Sequence, residues 1–144
     1  ETAEQELSHA RQFFALLEGG TVTITAGYPA GVVGDTRQNL AEAAAGEREE
    51  WSDLYENFAK TAQEEGFPNI ANLYKLIAKV EVMHEQRYIK MLERLENGTE
   101  FEEAEPVEWM CRKCGFVITA KSAPKRCPVC GMDQGWFQRK ANNY

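Results

Sequence analysis

Glu81-Val82-Met83-His84 decides how this 144-residue chain is read. It is a Glu-x-x-His run inside a long helical pattern, and the same spacing occurs once more, as Glu6-Leu7-Ser8-His9. These are the two histidines of the chain, and each has a glutamate three residues earlier. With 20 glutamates in 144 residues, the chance of both placements is about 2%, low enough to make the doubled spacing worth following. On a helix, residues three apart share a face, so each pair presents a carboxylate beside an imidazole.

Outward from that stretch, the pattern is helical on both sides. A helix is expected over 1–18, with Glu6, His9, Phe13 and Leu16 on one face and Gly19-Gly20 ending it. It already reads as helix at Glu1, without a Met or a clear N-cap, as if the sequence began inside an element. Residues 21–34 are β-branched and then glycine-rich, which suits a crossover connection better than a tight turn. Asp35 is an N-cap, with Gln38 completing a capping box. The helix after it runs to about Glu65 and carries Leu40, Ala43, Glu47, Glu50, Leu54 and Phe58 along one stripe. Gly66 breaks it, and Pro68 suits the first turn of a third helix. That helix carries Ile70, Leu73, Ile77, Glu81, His84, Tyr88, Met91 and Leu95 on one stripe and ends at Asn97-Gly98. The short connection makes these two helices antiparallel neighbours.

In each helix the apolar seam is interrupted by Glu or His. A seam position faces the bundle interior, where an unpaired carboxylate costs several kcal/mol. Glu6, His9, Glu47, Glu50, Glu81 and His84 converging there need a positive centre, and two metal ions supply it. Oxygen-rich ligation with a few imidazoles suits iron or manganese over zinc or copper. The plain alternative is a solvated face: Arg48 and Glu49 equally make Glu47 and Glu50 part of an ordinary charged surface, and a lone buried His is often a satisfied core residue. Three helices with such groups at compatible spacing favour the metal.

The C-terminal part changes character. Residues 99–108 form an acidic stretch closed by Pro106, read as a linker between a helical domain (1–98) and a small cysteine domain (109–144). Cys111-Arg112-Lys113-Cys114-Gly115 and Cys127-Pro128-Val129-Cys130-Gly131 are two Cys-x-x-Cys-Gly knuckles. The glycines permit a tight backbone whose amides point at sulfur. Four thiolates make a tetrahedral site for a single iron or for zinc. Trp109, Phe116, Trp136 and Phe137 supply a small apolar core; in a purely structural zinc ribbon that would be their whole role.

Composition excludes several function classes. A net charge of −7 argues against a nucleic-acid partner, since phosphate binding needs clustered Lys and Arg. No apolar run approaches the ~20 residues that span a bilayer, and no signal-peptide pattern is visible. Four cysteines in two Cys-x-x-Cys pairs suit a metal site in a reducing cytoplasm better than a disulfide framework.

Taken together, these motifs resemble the rubrerythrin family across nearly the whole length. The resemblance rests on Glu6-Leu7-Ser8-His9-Ala10, Ala44-Ala45-Gly46-Glu47-Arg48-Glu49-Glu50, Glu81-Val82-Met83-His84-Glu85 and the Cys-x-x-Cys-Gly-Phe…Cys-Pro-x-Cys-Gly module, which looks like rubredoxin. Leu17-Glu18-Gly19-Gly20 and Tyr28-Pro29-Ala30-Gly31 also look like the family's crossover. It implies a mainly α, ferritin-like four-helix bundle holding two non-haem irons, joined to a small β-rich, rubredoxin-like Fe(Cys)4 domain. Glu6/His9 and Glu81/His84 match the family's two Glu-x-x-His helices, Glu47 one single-Glu helix and Glu50 its additional glutamate. By analogy Glu50 exchanges with His9 as the site is reduced, and Tyr55 stands at the family's position for a tyrosine near the site. The departure is that the family's first helix, with one more ligand glutamate, is absent from these residues, leaving three of four helices. An open seam, poor stability and weakened iron binding are expected for such a chain, unless a neighbouring polypeptide supplies the helix.

The resemblance implies a peroxidase that reduces hydrogen peroxide to water in oxidative-stress defence. Its catalytic candidates are Glu50, His9 and Tyr55, and an NAD(P)H-dependent reductase or a rubredoxin supplies the electrons. A homodimer in the cytoplasm, with no nucleic acid and no membrane, completes the expectation. Two alternatives stay open: ferritin-like iron oxidation and sequestration, and a helical interaction module bearing a zinc ribbon.

Overall fold

The computed structural model describes residues 1–142 and separates into two compact units, Glu1–Leu92 and Glu93–Tyr144. The first is helical. Helix α1 spans Thr2–Phe14, shorter than the 1–18 expected, and Ala15–Leu17 turn out of it. Arg87 ties its first turn down by donating to Thr2 Oγ1 (2.6 Å) and to Glu1 Oε1 (3.2 Å). Residues 18–34 carry no regular structure beyond bends, consistent with a connection.

Helix α2 (Thr36–Glu49) opens on the expected capping box. Asp35 Oδ1 accepts from the Gln38 amide at 2.8 Å, and Gln38 Oε1 accepts from the Asp35 amide at 3.1 Å. A Cβ on Gly34 would collide with the Gln38 side chain, so the box also requires the glycine before it.

Past Glu49 the helix is not continuous. Glu50–Leu54 forms one π-helical turn before α3 (Tyr55–Glu64), and the Tyr55 amide reaches back to Glu50 O. A π turn inserts one extra residue into the helical ladder. The inward stripe therefore advances by one: after it, Ala59 and Ala62 are buried and the expected Phe58 is exposed. Gly66, at φ +87°, ends α3, with Phe67 N–H bonding Ala62 O and Gly66 N–H bonding Gln63 O, the pattern of a Schellman cap.

Helix α4 (Pro68–Glu96) starts on its proline and ends on a second such cap around Gly98, at φ +63°. Ala59 and Ala62 of α3 pack against Ala71 of α4, with Ile70 and Tyr74 alongside. Small residues at that contact let the two helices approach closely. Ile77, Glu81, His84 and Glu85 form the buried side of α4, while Met91, expected on the same stripe, is exposed. No helix is long and apolar enough to cross a membrane among the described residues.

The second unit holds a three-stranded antiparallel sheet in the order β2–β1–β3, with β1 Glu102–Cys111, β2 Val117–Ser122 and β3 Phe137–Arg139. The stretch 99–108 expected to be a linker is thus mostly strand. Val107 pairs with Ala120 and Trp109 with Ile118, and the register shifts between Glu102 and Val107, where Pro106 lies. A proline is tolerated at a bulge because no ladder donor is needed there. Glu103 is held by Arg94 (2.8 Å) and Arg139 (3.2 Å). The core consists of Trp109, Cys111, Ala123, Cys127 and Phe137, with Phe116 packed against it, and Trp109 Nε1 donates to Ala120 O. Trp136, expected in this core, is 41% exposed. Asn143 and Tyr144, the end of the expected 109–144 domain, lie outside the described residues.

Candidate metal centres

The helical unit gathers charge where a core should be apolar. Glu81 is fully buried, His84 is 1% exposed, and His9 is also buried. The Nδ1 atom of His84 lies 2.8 Å from Glu6 Oε1, 2.9 Å from Glu81 Oε2 and 3.5 Å from Glu47 Oε2. His9 Nδ1 lies 3.0 Å from Glu81 Oε1 and 3.3 Å from Glu6 Oε2, and the two imidazoles stack at 5.9 Å. One ligand atom from each of Glu6, Glu47, Glu81 and His84 falls within 4.8 Å of all the others. Of the six expected bundle residues, these four converge tightly and His9 joins at their edge. Glu50 is outside that set, accepting the Tyr55 hydroxyl at 2.9 Å.

Glu6 Oε1, Glu47 Oε2, both Glu81 oxygens and His84 Nδ1 are buried without a hydrogen-bond partner. Such orphaned atoms cost free energy unless a cation satisfies them. Burial, reinforced by the charges of Glu6, Glu47 and Glu50, pushes the Glu81 carboxyl up to about 8. Burial and the charges of Glu6 and Glu50 push Glu47 up to about 7 against the pull of Arg87. Burial lowers the His84 imidazole despite Glu6, favouring the neutral form that ligates metals. The donor set of carboxylates and imidazole fits iron.

Side chains around the cluster orient it. His84 Nε2 lies 3.0 Å from Gln5 Oε1, which also accepts from Arg87 at 3.4 Å. The Nε2 atom therefore carries the proton and Nδ1 turns its lone pair toward the carboxylates. Glu85, also buried, accepts from Arg48 Nε at 2.7 Å and Trp51 Nε1 at 2.8 Å, tying α2 and the π turn to α4. Arg48 thus serves Glu85 rather than a charged face with Glu47 and Glu50. Sequence reasoning missed Gln5, Arg87, Trp51 and Glu85. The one available signal was that Glu85 lies four residues after Glu81, on the same side of the helix.

All four cysteines come together. Cys111 and Cys130 Sγ lie 3.7 Å apart, as do Cys114 and Cys127 Sγ. A tetrahedron with metal–sulfur bonds of about 2.3 Å has edges of about 3.8 Å, whereas a disulfide would bring sulfurs to about 2 Å. The knuckles repeat one backbone design: Cys111 N–H bonds Phe116 O as Cys127 N–H bonds Met132 O, and Gly115 and Gly131 close the turns at φ +78° and +75°. Burial raises the Cys127 thiol, but the Cys130 and Val129 amides and neighbouring thiols outweigh it and bring it down to about 7. Cys130 is pulled down by the Met132 amide, yet burial and thiol–thiol bonds push it up to about 12. The four sulfurs cannot share the site as anions without a cation between them.

A ferritin-like helical bundle with a diiron-type Glu/His cluster, joined in one chain to a rubredoxin-like four-cysteine module, is the class of protein that this fold and these sites define. The family model for rubrerythrin matches residues 1–92 and again 38–122, and that for its rubredoxin-like domain matches 109–138. The chain belongs to the rubrerythrin family. It is 55% identical to rubrerythrin of Porphyromonas gingivalis over 144 residues, covering all of this chain and 72% of that protein. It is 39% identical to rubrerythrin of Nitratidesulfovibrio vulgaris, covering 100% of this chain and 75% of that one. Among solved structures it resembles nigerythrin in a mixed-valence state, with TM-score 0.56 and 26% identity over 96% of this chain and 66% of the other. Family membership supports an oxidoreductase.

Proposed function

We propose that the protein is a non-haem diiron peroxidase that reduces hydrogen peroxide to water, with electrons relayed through the four-cysteine module. Each peroxide takes up two electrons and two protons and yields two waters. Glu6, Glu47, Glu81 and His84, with Glu50 and His9 beside them, are the proposed ligands of two irons. Cys111, Cys114, Cys127 and Cys130 are the proposed ligands of a third, with zinc as the alternative occupant. When bound, the iron pair supplies electrons and Lewis acidity toward the O–O bond.

The observation that carries this reading is the set of orphaned buried donor atoms lying beside a proton-holding pair. Burial and Glu50 raise Tyr55, so its hydroxyl keeps the proton that it donates to Glu50 Oε2. Burial also raises the Glu50 carboxyl, against the Tyr55 hydrogen bond that lowers it, which supports a role for the pair in passing protons. Tyr55 also lines an open groove of about 460 Å³ with Trp51, Leu76 and Lys79, wide enough to admit a small solute. His9, near Glu81 and Glu6, is the proposed group that trades with Glu50. An NAD(P)H-dependent reductase or a rubredoxin is the proposed donor, and a cytoplasmic homodimer the proposed form.

Iron-loaded protein given a reductase and NADH should oxidise NADH in proportion to added peroxide. Iron uptake driven by dioxygen, without peroxide turnover, would replace this reading with ferritin-like storage. A colourless, zinc-loaded protein without turnover would make it an interaction module.

A further inference from the structure

The chain divides its charge unevenly. Residues 109–144 hold seven Lys and Arg against one acidic residue, while residues 1–108 hold nine against 22. Part of the basic excess is neutralised: Arg139 pairs with Glu103, Lys140 with Glu108, and Arg126 lies 3.6 Å from Asp133. Three other cations gather around a single turn, the 3-10 turn Gln134–Trp136. Arg112 Nη2 donates to Gly135 O at 3.2 Å, and the Arg112 amide to Trp136 O at 2.8 Å. Lys125 Nζ donates to Gln134 Oε1 at 3.1 Å. Arg112 and Lys113 lie over the Trp136 ring at 5.9 and 6.0 Å. No carboxylate is within ion-pair reach of Arg112, Lys113 or Lys125 among the described residues.

Lys113 directly precedes Cys114, the one cysteine that is exposed; Cys111 and Cys127 are buried and Cys130 is intermediate. The knuckle that ends in the exposed sulfur therefore carries two unneutralised cations, and both lie over an exposed aromatic ring. The second knuckle differs: between its cysteines it has Pro128 and Val129 where the first has Arg112 and Lys113. Charged rims steer fast, reversible encounters, whereas lasting interfaces between copies need apolar area.

We infer that the rim of Arg112, Lys113, Lys125 and Trp136 is the docking face for an acidic one-electron carrier protein, which delivers its electron at the Cys114 edge. This rests on reading the cysteine module as an electron relay. The carrier loses one electron and the four-cysteine centre gains it, with no bond or proton moved. An encounter that must form and separate once per electron suits a small, charged, salt-sensitive face.

The test uses the zinc-loaded full chain and an acidic plant-type ferredoxin as probe. Affinity should fall about tenfold or more between about 50 and 300 mM salt. The double variant Arg112→Glu/Lys113→Glu should weaken binding about thirtyfold and Lys125→Glu about fivefold. Lys121→Glu, on β2 and in no contact with Arg112, Lys113 or Trp136 among the described residues, should change it less than about twofold. Zinc stoichiometry checks that each variant is folded, and Lys125→Glu leaves both knuckles intact. In the iron form, stopped-flow reduction by the same ferredoxin should slow in parallel. Binding indifferent to salt and to both charge reversals overturns the inference. So does a double variant that loses self-association in sedimentation while keeping ferredoxin affinity, which would give the face to a second copy. Charge-dependent ferredoxin binding to a protein that turns over no peroxide would sink the peroxidase reading and leave the docking face standing.

Discussion

The four-cysteine module and the Glu/His cluster concentrate metal-binding side chains in opposite ways. The module draws its sulfurs from two short knuckles, each bent by its own hydrogen bonds and a left-handed glycine, and the sulfur pairs stand at 3.7 Å. The cluster draws Glu6 from α1, Glu47 from α2, and Glu81 with His84 from α4. Its carboxylates are raised by burial and by one another. Local backbone shapes the first site; helix packing assembles the second against its own repulsion. A metal therefore completes a shape in one and relieves a conflict in the other.

The strongest way to break that comparison is to remove a proposed ligand from each side. Cys111→Ser takes a buried sulfur from both the core and the cluster of its unit. It should abolish the red thiolate–iron absorption and unfold the module, since metal binding of this kind contributes on the order of 10 kcal/mol to folding. The far-UV helical signal should remain, with new protease cleavage confined to 93–144. Simultaneous loss of helix would show that the two units do not hold separately. The reciprocal change, Glu81→Ala, should lower peroxide turnover at least about 100-fold, because it removes a proposed ligand of the iron pair, and should keep the red colour. Turnover that survives it would mean that the bundle site is misassigned.

Acidity sharpens the same contrast. Glu81 and Glu47 sit at about 8 and about 7 in the folded, metal-free chain, against 4.5 for an ordinary glutamate. Between those values the folded state binds more protons than the unfolded one, so stability falls as pH rises. The stability that these two carboxyls contribute to the metal-free helical unit should thus be present in full near pH 4.5 and be lost by about pH 8, with His84, lowered by burial, opposing part of that trend. Iron should flatten that slope, because a cation replaces the protons. A metal-free melting temperature that stays level from pH 5 to pH 8 would mean that the carboxylates are not in conflict.

What could be read from the sequence follows the same division. The Asp35–Gln38 box, the Gly66–Pro68 break, the Gly98 stop and both knuckles are visible because neighbouring residues determine them. The π turn at Glu50–Leu54 is not, since its register depends on what Trp51 and Tyr55 meet on other elements. Residues 102–108 read as a linker because Glu and Pro are poor strand formers; pairing with β2 and the two arginines on Glu103 make them strand. Glu6, Glu47, Glu81 and His84 were legible as polar interruptions of apolar stripes. Gln5 was not, because its role exists only once α1 lies against His84.

Glu85 offers the finest test of whether packing holds the cluster. Its carboxylate accepts from Arg48 on one oxygen and Trp51 on the other, and these donors flank Glu47 and Glu50 in sequence. The residue after His84 thus grips the residues after the two α2-side glutamates. Glu85→Gln keeps the size but removes the charge and one acceptor. Because Arg48 is largely exposed, the expected cost is modest, about 1–2 kcal/mol in metal-free denaturant unfolding. The four-cysteine colour should not change, while iron affinity of the bundle should drop severalfold as the π turn loosens. A variant that loses stability yet binds iron as before would reduce the contact to ordinary packing. Weakened iron binding that Glu85→Asp partly rescues would instead show that the cluster depends on a grip one residue away from its own ligands.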